Sequence, residues 1–120
     1  MWPFSSSKSA ALPARKLDDQ FSVAGQLRVD QLPLVVEAGY KTIVCARPDN
    51  EESGQPAFRD IAAAAKALGL LAVHIPISAG LGETQVKAMK KALHDLPGPY
   101  YGYCRSGARA GSLYASAKRG

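Results

Sequence analysis

The sequence predicts an α/β domain with a mostly parallel central sheet flanked by helices. Three observations carry this. Short β-branched or aromatic runs alternate with helical segments of ten or more residues, an order that builds parallel sheets by crossover connections. The chain has 120 residues, 47% hydrophobic and 21% charged, which fits one soluble domain with a single layered core. No apolar run approaches the roughly 20 residues of a membrane span; the longest, around Leu68–Val73, is strand-like and contains Gly69.

The first sixteen residues, rich in Ser, Ala and Lys, lack the apolar core of a signal peptide and read as a disordered leader. Residues 17–120 form one domain without internal repeats. Phe21, Val23 and Leu27 mark a first extended segment with a turn near Gly25. Asp30 is placed as the cap of a short helix through Leu34, Val35 and Ala38, closed by Gly39. Lys41–Cys45 is a buried strand, followed by the polar loop ARPDNEESGQP. Between Ala57 and Leu68, apolar residues Phe58, Ile61, Ala62, Ala65 and Leu68 recur at helical spacing. A strand through Leu71, Val73 and Ile75 stops at Pro76. A helix from Glu83 to His94 ends before Pro97-Gly98-Pro99. A strand covers Tyr100–Tyr103, with Tyr101 and Tyr103 on one face and Tyr100 on the other. The last helix spans Ala110–Lys118.

Ligands of such sheets bind at the carboxyl ends of the strands. Two loops with unusual chemistry, 46–55 and 104–109, leave strands there. The second reads Cys104-Arg105-Ser106-Gly107-Ala108-Arg109. A tight loop entering a helix aims unpaired backbone N–H groups at one centre, which makes an anion cradle. Gly107 permits the wrap. Arg105, Ser106, Gly107 and Ala108 therefore line an anion-binding loop, and Arg109 adds a planar fork of donors. Cys104 sits in the same field, so its thiolate is stabilised, as a nucleophile requires. Arg47 and Asp49 are supporting candidates. Arg47 follows a buried strand and is placed to brace the anion loop or pair with a carboxylate. Asp49, Glu51 and Glu52 are expected mainly as a solvated polar loop. His74 is expected to be a satisfied core or edge residue, and His94 has no assigned chemistry. Cys45 is packing, or a resolving thiol if it faces Cys104.

Two cysteines exclude a disulfide scaffold and fit a reducing, cytoplasmic setting. The scattered His and Cys offer no metal-ligand spacing, so no metal and no cofactor is expected. The net charge of +5 and pI of about 9.4 favour a small anionic substrate. No basic stripe with interleaved aromatics supports nucleic-acid binding, and no segment supports a membrane partner.

The set ARPDNEE, GQP, HIPIS and CRSGAR, in this order, resembles the phosphatase-like domain of the β-lactamase-hydrolase-like proteins over roughly residues 18–117. The resemblance implies a fold similar to tyrosine and dual-specificity phosphatases. It also implies Cys104 as nucleophile and the 105–109 loop with Arg109 as anion binder. Some members of that family are fused to a metallo-hydrolase of persulfide metabolism, and others are handled as sulfurtransferases. A fusion or partner enzyme of persulfide metabolism is thus an expected partner.

The residues also bear on what is transferred. Tyrosine-type phosphatases have five residues between Cys and Arg; four lie between Cys104 and Arg109, the C-x-x-G-x-R pattern of small rhodaneses. Tyr103 stands where phosphatases usually place His. Ser78-Ala79-Gly80 offers no carboxylate where dual-specificity phosphatases usually carry a general acid. Poor phosphoryl leaving groups need that proton, whereas sulfane-sulfur donors do not. The leading expectation is a sulfurtransferase that works through a Cys104 persulfide. The alternatives are a phosphomonoester hydrolase forming a Cys104 phosphothiolate, and a non-catalytic anion- or partner-binding module.

Overall fold

The computed structural model describes residues 12–119. Its five-stranded sheet runs β1 (Arg15–Lys16), β2 (Phe21–Ala24), β5 (Tyr100–Tyr103), β3 (Thr42–Cys45), β4 (Leu71–His74) across its width. Only β1 is antiparallel; β2, β5, β3 and β4 are mutually parallel. The helices are α1 (Leu32–Glu37), α2 (Phe58–Ala67), α3 (Glu83–Asp95) and α4 (Ala108–Arg119). The predicted α/β class and mostly parallel sheet hold.

Strands β2, β3 and β5 are buried on both faces, as crossover helices demand, whereas the edge strand β4 is only partly buried. One core, with α3 and α4, gathers Phe21, Val44, Met89, Tyr100, Cys104 and Leu113; the other, with α1 and α2, gathers Leu27, Val35, Ile43, Ile61, Tyr101 and Tyr103. The predicted alternation of the three tyrosines is observed. Their hydroxyls do not stay unpaired in the interior: Tyr100 donates to the Leu96 carbonyl at 2.6 Å and Tyr101 to the Pro13 carbonyl at 2.6 Å. The first bond ties β5 to the end of α3. Cys45 is buried with the second core and Cys104 with the first. The sheet thus separates the thiols into opposite layers, and packing is the role Cys45 fills.

Four expectations shift. Arg15 and Lys16, placed in the leader, form an edge strand paired with Val23 and Ser22; the leader's first eleven residues lie outside the described residues. Asp30 does not cap α1: it lies inside a 3-10 turn, Val29–Gln31, and Gln31 precedes the helix. Its carboxylate instead accepts from Arg28 Nε at 3.1 Å. Strand β4 ends at His74, although the Ile75 N–H still donates to the Cys45 carbonyl at 2.8 Å. Helix α4 begins at Ala108, two residues early, because the Gly107 carbonyl already accepts the Gly111 N–H at 2.9 Å. That last shift places Arg109 in the first turn of α4.

Candidate active site

In register, Cys45 at the end of β3 lies beside Tyr103 at the end of β5. The loops 46–55 and 104–109 therefore leave the sheet side by side, at the edge where the sequence places them. The Cys104 loop is pinned from beneath by the turn after β2: Cys104 N–H donates to the Ala24 carbonyl at 3.3 Å. Two glycines make this approach possible. A Cβ on Gly25 would sit 2.9 Å from the Arg105 carbonyl oxygen, and Gly107, at φ +97°, would bring a Cβ within 3.3 Å of the Ala24 carbonyl. Close loop packing is thus written into residues without side chains.

Cys104 is fully buried. Burial alone would push its thiol up, but backbone N–H groups of Ala110, Ser106, Arg109 and Gly107 outweigh it and hold the thiol below its ordinary value. The Gly107 N–H reaches the sulfur at 3.0 Å. These donors belong to the loop and the first turn of α4, where intrahelical partners are lacking. Cys45 behaves oppositely, since burial pushes its thiol up.

Arg109 is held on two sides. Its Nη1 and Nη2 donate to the two oxygens of Glu51 at 2.6 and 2.8 Å, and Nη1 also donates to the Ile77 carbonyl at 2.9 Å. Both Nη1 hydrogens are then engaged. The edge formed by Nε–H and the second Nη2 hydrogen remains for an anion, and Cys104 lies within this side chain's reach. The fork is therefore oriented before any ligand arrives. A cleft of about 360 Å³ opens beside it, lined by Ile77, Ser78, Gly80, Leu81, Arg109 and Ser112. It is mainly apolar and contains no carboxylate. Arg105 differs from its loop neighbours: its side chain is 70% exposed and 4.0 Å from Glu52. Ser106 turns its hydroxyl to accept the Ala108 N–H at 3.3 Å.

The 46–55 loop is exposed over residues 49–54, as expected, yet its charged groups are tied together around a buried Arg47. Arg47 is 2% exposed and donates from Nε to Glu51 at 2.9 Å, from Nη2 to Glu52 at 2.8 Å and from Nη1 to Gln26 at 2.8 Å. Asp49 stands away from the anion loop and accepts the Phe58 N–H at 2.8 Å, one of the unpaired donors at the start of α2. Its part is to anchor the loop to α2. Glu51, not singled out from sequence, bridges Arg109 and Arg47, which together hold its carboxyl down at about 2. Gln26 was also missed. The one sequence signal for Glu51 was its i+4 spacing from Arg47. His74 is satisfied as expected, its Nε2 2.8 Å from the Arg47 carbonyl and its ring stacked on Phe58. His94 pairs only with Asp95, at 2.9 Å. Among the described residues no cluster of three metal-ligating side chains occurs, and no helix is long and apolar enough to cross a membrane.

Comparison with known proteins places these features. Residues 13–120 match the family model described as the phosphatase-like domain of the β-lactamase-hydrolase-like protein. A β-lactamase-hydrolase-like protein of Agrobacterium fabrum is 33% identical over 104 residues, which is 86% of this chain and 24% of that protein. The chain thus spans about a quarter of the length of this curated relative. A phosphatase candidate from Neisseria meningitidis superposes with a TM-score of 0.75 at 31% identity, over 82% of this chain and 71% of that one. The core catalytic domain of the PP-IP phosphatase SIW14 from S. cerevisiae shares the fold, with a TM-score of 0.65 at 14% identity over 86% of this chain and 64% of that one. On the family match and the shared fold, the chain belongs to the phosphatase-like domain family of the β-lactamase-hydrolase-like proteins.

Proposed function

We propose that the domain is a cysteine-dependent sulfurtransferase that carries sulfane sulfur as a Cys104 persulfide. The observation that carries this reading is the engagement of every carboxylate on the facing loop. Asp49 caps α2, Glu51 is clamped between two arginines and Glu52 is bound to Arg47. A carboxylate held as firmly ionised as Glu51 cannot donate a proton near neutral pH. Sulfur transfer needs no such donor. The Cys104 thiolate attacks the outer sulfur of thiosulfate, the Cys104 S–S bond forms, and the donor's S–S bond breaks with its electron pair leaving on sulfite. An acceptor thiolate or cyanide then attacks the outer sulfur and releases the Cys104 thiolate. Arg109 and the loop N–H groups hold the negative charge throughout.

A second reading, phosphomonoester hydrolysis through a Cys104 phosphothiolate, is favoured by the family description and the phosphatase neighbours. Against it stand the absent acid and the four-residue loop, which offers a smaller ring of donors than a phosphoryl group occupies at hydrogen-bond range. A binding module with an inert thiol gains little support from a thiol held below its ordinary value. The reaction is placed in the reducing cytoplasm, where a free Cys104 persists. Its partner is a small anionic sulfur donor, with an enzyme of persulfide metabolism, fused or separate, as source or sink. The test compares kcat/KM for thiosulfate with cyanide against kcat/KM for an aryl phosphate. Sulfur transfer predicts a clear excess for thiosulfate; turnover of the phosphate alone would replace this reading with the second.

A further inference from the structure

We propose that Arg47, whose guanidinium bonds to Glu51, Glu52 and Gln26, is a positioning residue that sets the plane of the Arg109 guanidinium through Glu51. This rests on the reading that Arg109 binds the reacting anion, whichever group is transferred.

The geometry is a relay of shared oxygens. Glu51 Oε1 accepts from both Arg47 Nε, at 2.9 Å, and Arg109 Nη2, at 2.8 Å, while Oε2 accepts from Arg109 Nη1 at 2.6 Å. A glutamate side chain alone rotates freely about its terminal bond. With Oε1 fixed by a buried arginine, the carboxylate plane is fixed, and a two-point pairing transmits that plane to Arg109. Arg47 cannot itself drift. Its remaining arms are tied to Gln26 and Glu52, and its backbone carbonyl receives Cys45 Sγ at 3.4 Å and lies 2.8 Å from His74 Nε2. It therefore joins the turn after β2, the end of β4 and the 46–55 loop. A buried arginine is costly unless fully paired, and here all three of its nitrogens have partners. Nothing in the cleft requires it. Its evident use is to hold Glu51.

A double-mutant cycle on the whole chain tests this, with sulfate as the probe and affinity read by calorimetry. Arg47→Lys keeps the charge but cannot hold Glu51, Glu52 and Gln26 together. Sulfate affinity should fall roughly tenfold, within the range that misplacing one binding group produces, and KM for thiosulfate should rise more than kcat falls. In a Glu51→Gln background the same change should cost less than about twofold, because the relay is already broken. Should Arg47→Lys not fold, Gln26→Met, which removes one of Arg47's anchors, should give a smaller loss with the same non-additivity. Losses that multiply or an unchanged sulfate affinity would each overturn the proposal. Failure of thiosulfate turnover with the sulfate pattern intact would overturn only the sulfur-transfer reading. A parent chain that binds no sulfate would overturn both.

Discussion

The proposed function rests on one sulfur atom, that of Cys104. A thiolate there is stabilised by aligned backbone N–H groups, which a serine alkoxide could not exploit near neutral pH. Cys104→Ser should therefore retain the parent melting temperature within a few degrees and lose turnover of every substrate to background. Retained turnover would remove the nucleophile from this site. The same field makes a pH prediction. Because the thiol is held down by backbone N–H groups, the thiolate absorbance should develop at lower pH than for an ordinary cysteine. Cys45, raised by burial, should contribute nothing in that window. Arg109 offers the second residue-scale test. Its neighbours already occupy the Nη1/Nη2 edge, so Lys, a point charge without a second edge, cannot bind Glu51 and an anion in the same geometry. Arg109→Lys should weaken sulfate binding by at least about tenfold, or roughly 1.4 kcal/mol, at unchanged net charge. Equal affinity would show that the free edge faces away from the ligand. Glu51 adds an acid limb. Its carboxyl is depressed from 4.5 to about 2, so its hold on Arg109 is complete above the ordinary carboxylate range and is lost only as pH falls toward 2.

At the scale of elements, the site is a product of where strands stop. Strands β3 and β5 end in register, and each releases a loop stabilised by a different device: a buried arginine in one, a helix N-terminus in the other. The strands and α2 were legible because their periodicity is strong. The Tyr100–Tyr103 strand was read without error, and α2 was one residue too long at each end. The start of α4 was misread because Ala and Arg have no pattern that separates a loop from a first helical turn; only the Gly107 carbonyl bond decides it. The early start of α4 decides where an inserted residue can act. A residue inserted between Ala108 and Arg109 would rotate the whole helix, whereas one inserted between Ser106 and Gly107 enlarges the bowl alone. The latter variant should shift the ratio of kcat/KM values from thiosulfate toward aryl phosphate. A parent that already favours the phosphate ester would contradict the size argument. Gly107→Ala probes the same loop from within. At φ +97° with the Ala24 carbonyl close by, it should cost about 1–2 kcal/mol, seen as a drop of several degrees in Tm.

Over the whole molecule, two cores on opposite faces of one sheet position a reactive edge, with Cys104 reaching into the first core. The cores were readable as composition and period; the edge was readable only in part. Cys104, Gly107 and Arg109 lie close in sequence, so their spacing announces an anion loop. Glu51 reaches that loop through space, from 58 residues away, Gln26 reaches Arg47, and a polar loop gives no hint of which of its carboxylates will be caught. Arg47 was visible as a candidate because an arginine directly after a buried strand must find partners, but those partners were not. The family match supplies the fold and leaves the transferred group to chemistry. The most direct measurement is therefore the mass of the intact chain after brief exposure to thiosulfate. A gain of one sulfur atom, mapped to Cys104, absent in Cys104→Ser and discharged by cyanide, is the predicted result; an unmodified Cys104 in an enzyme that hydrolyses aryl phosphates would contradict it.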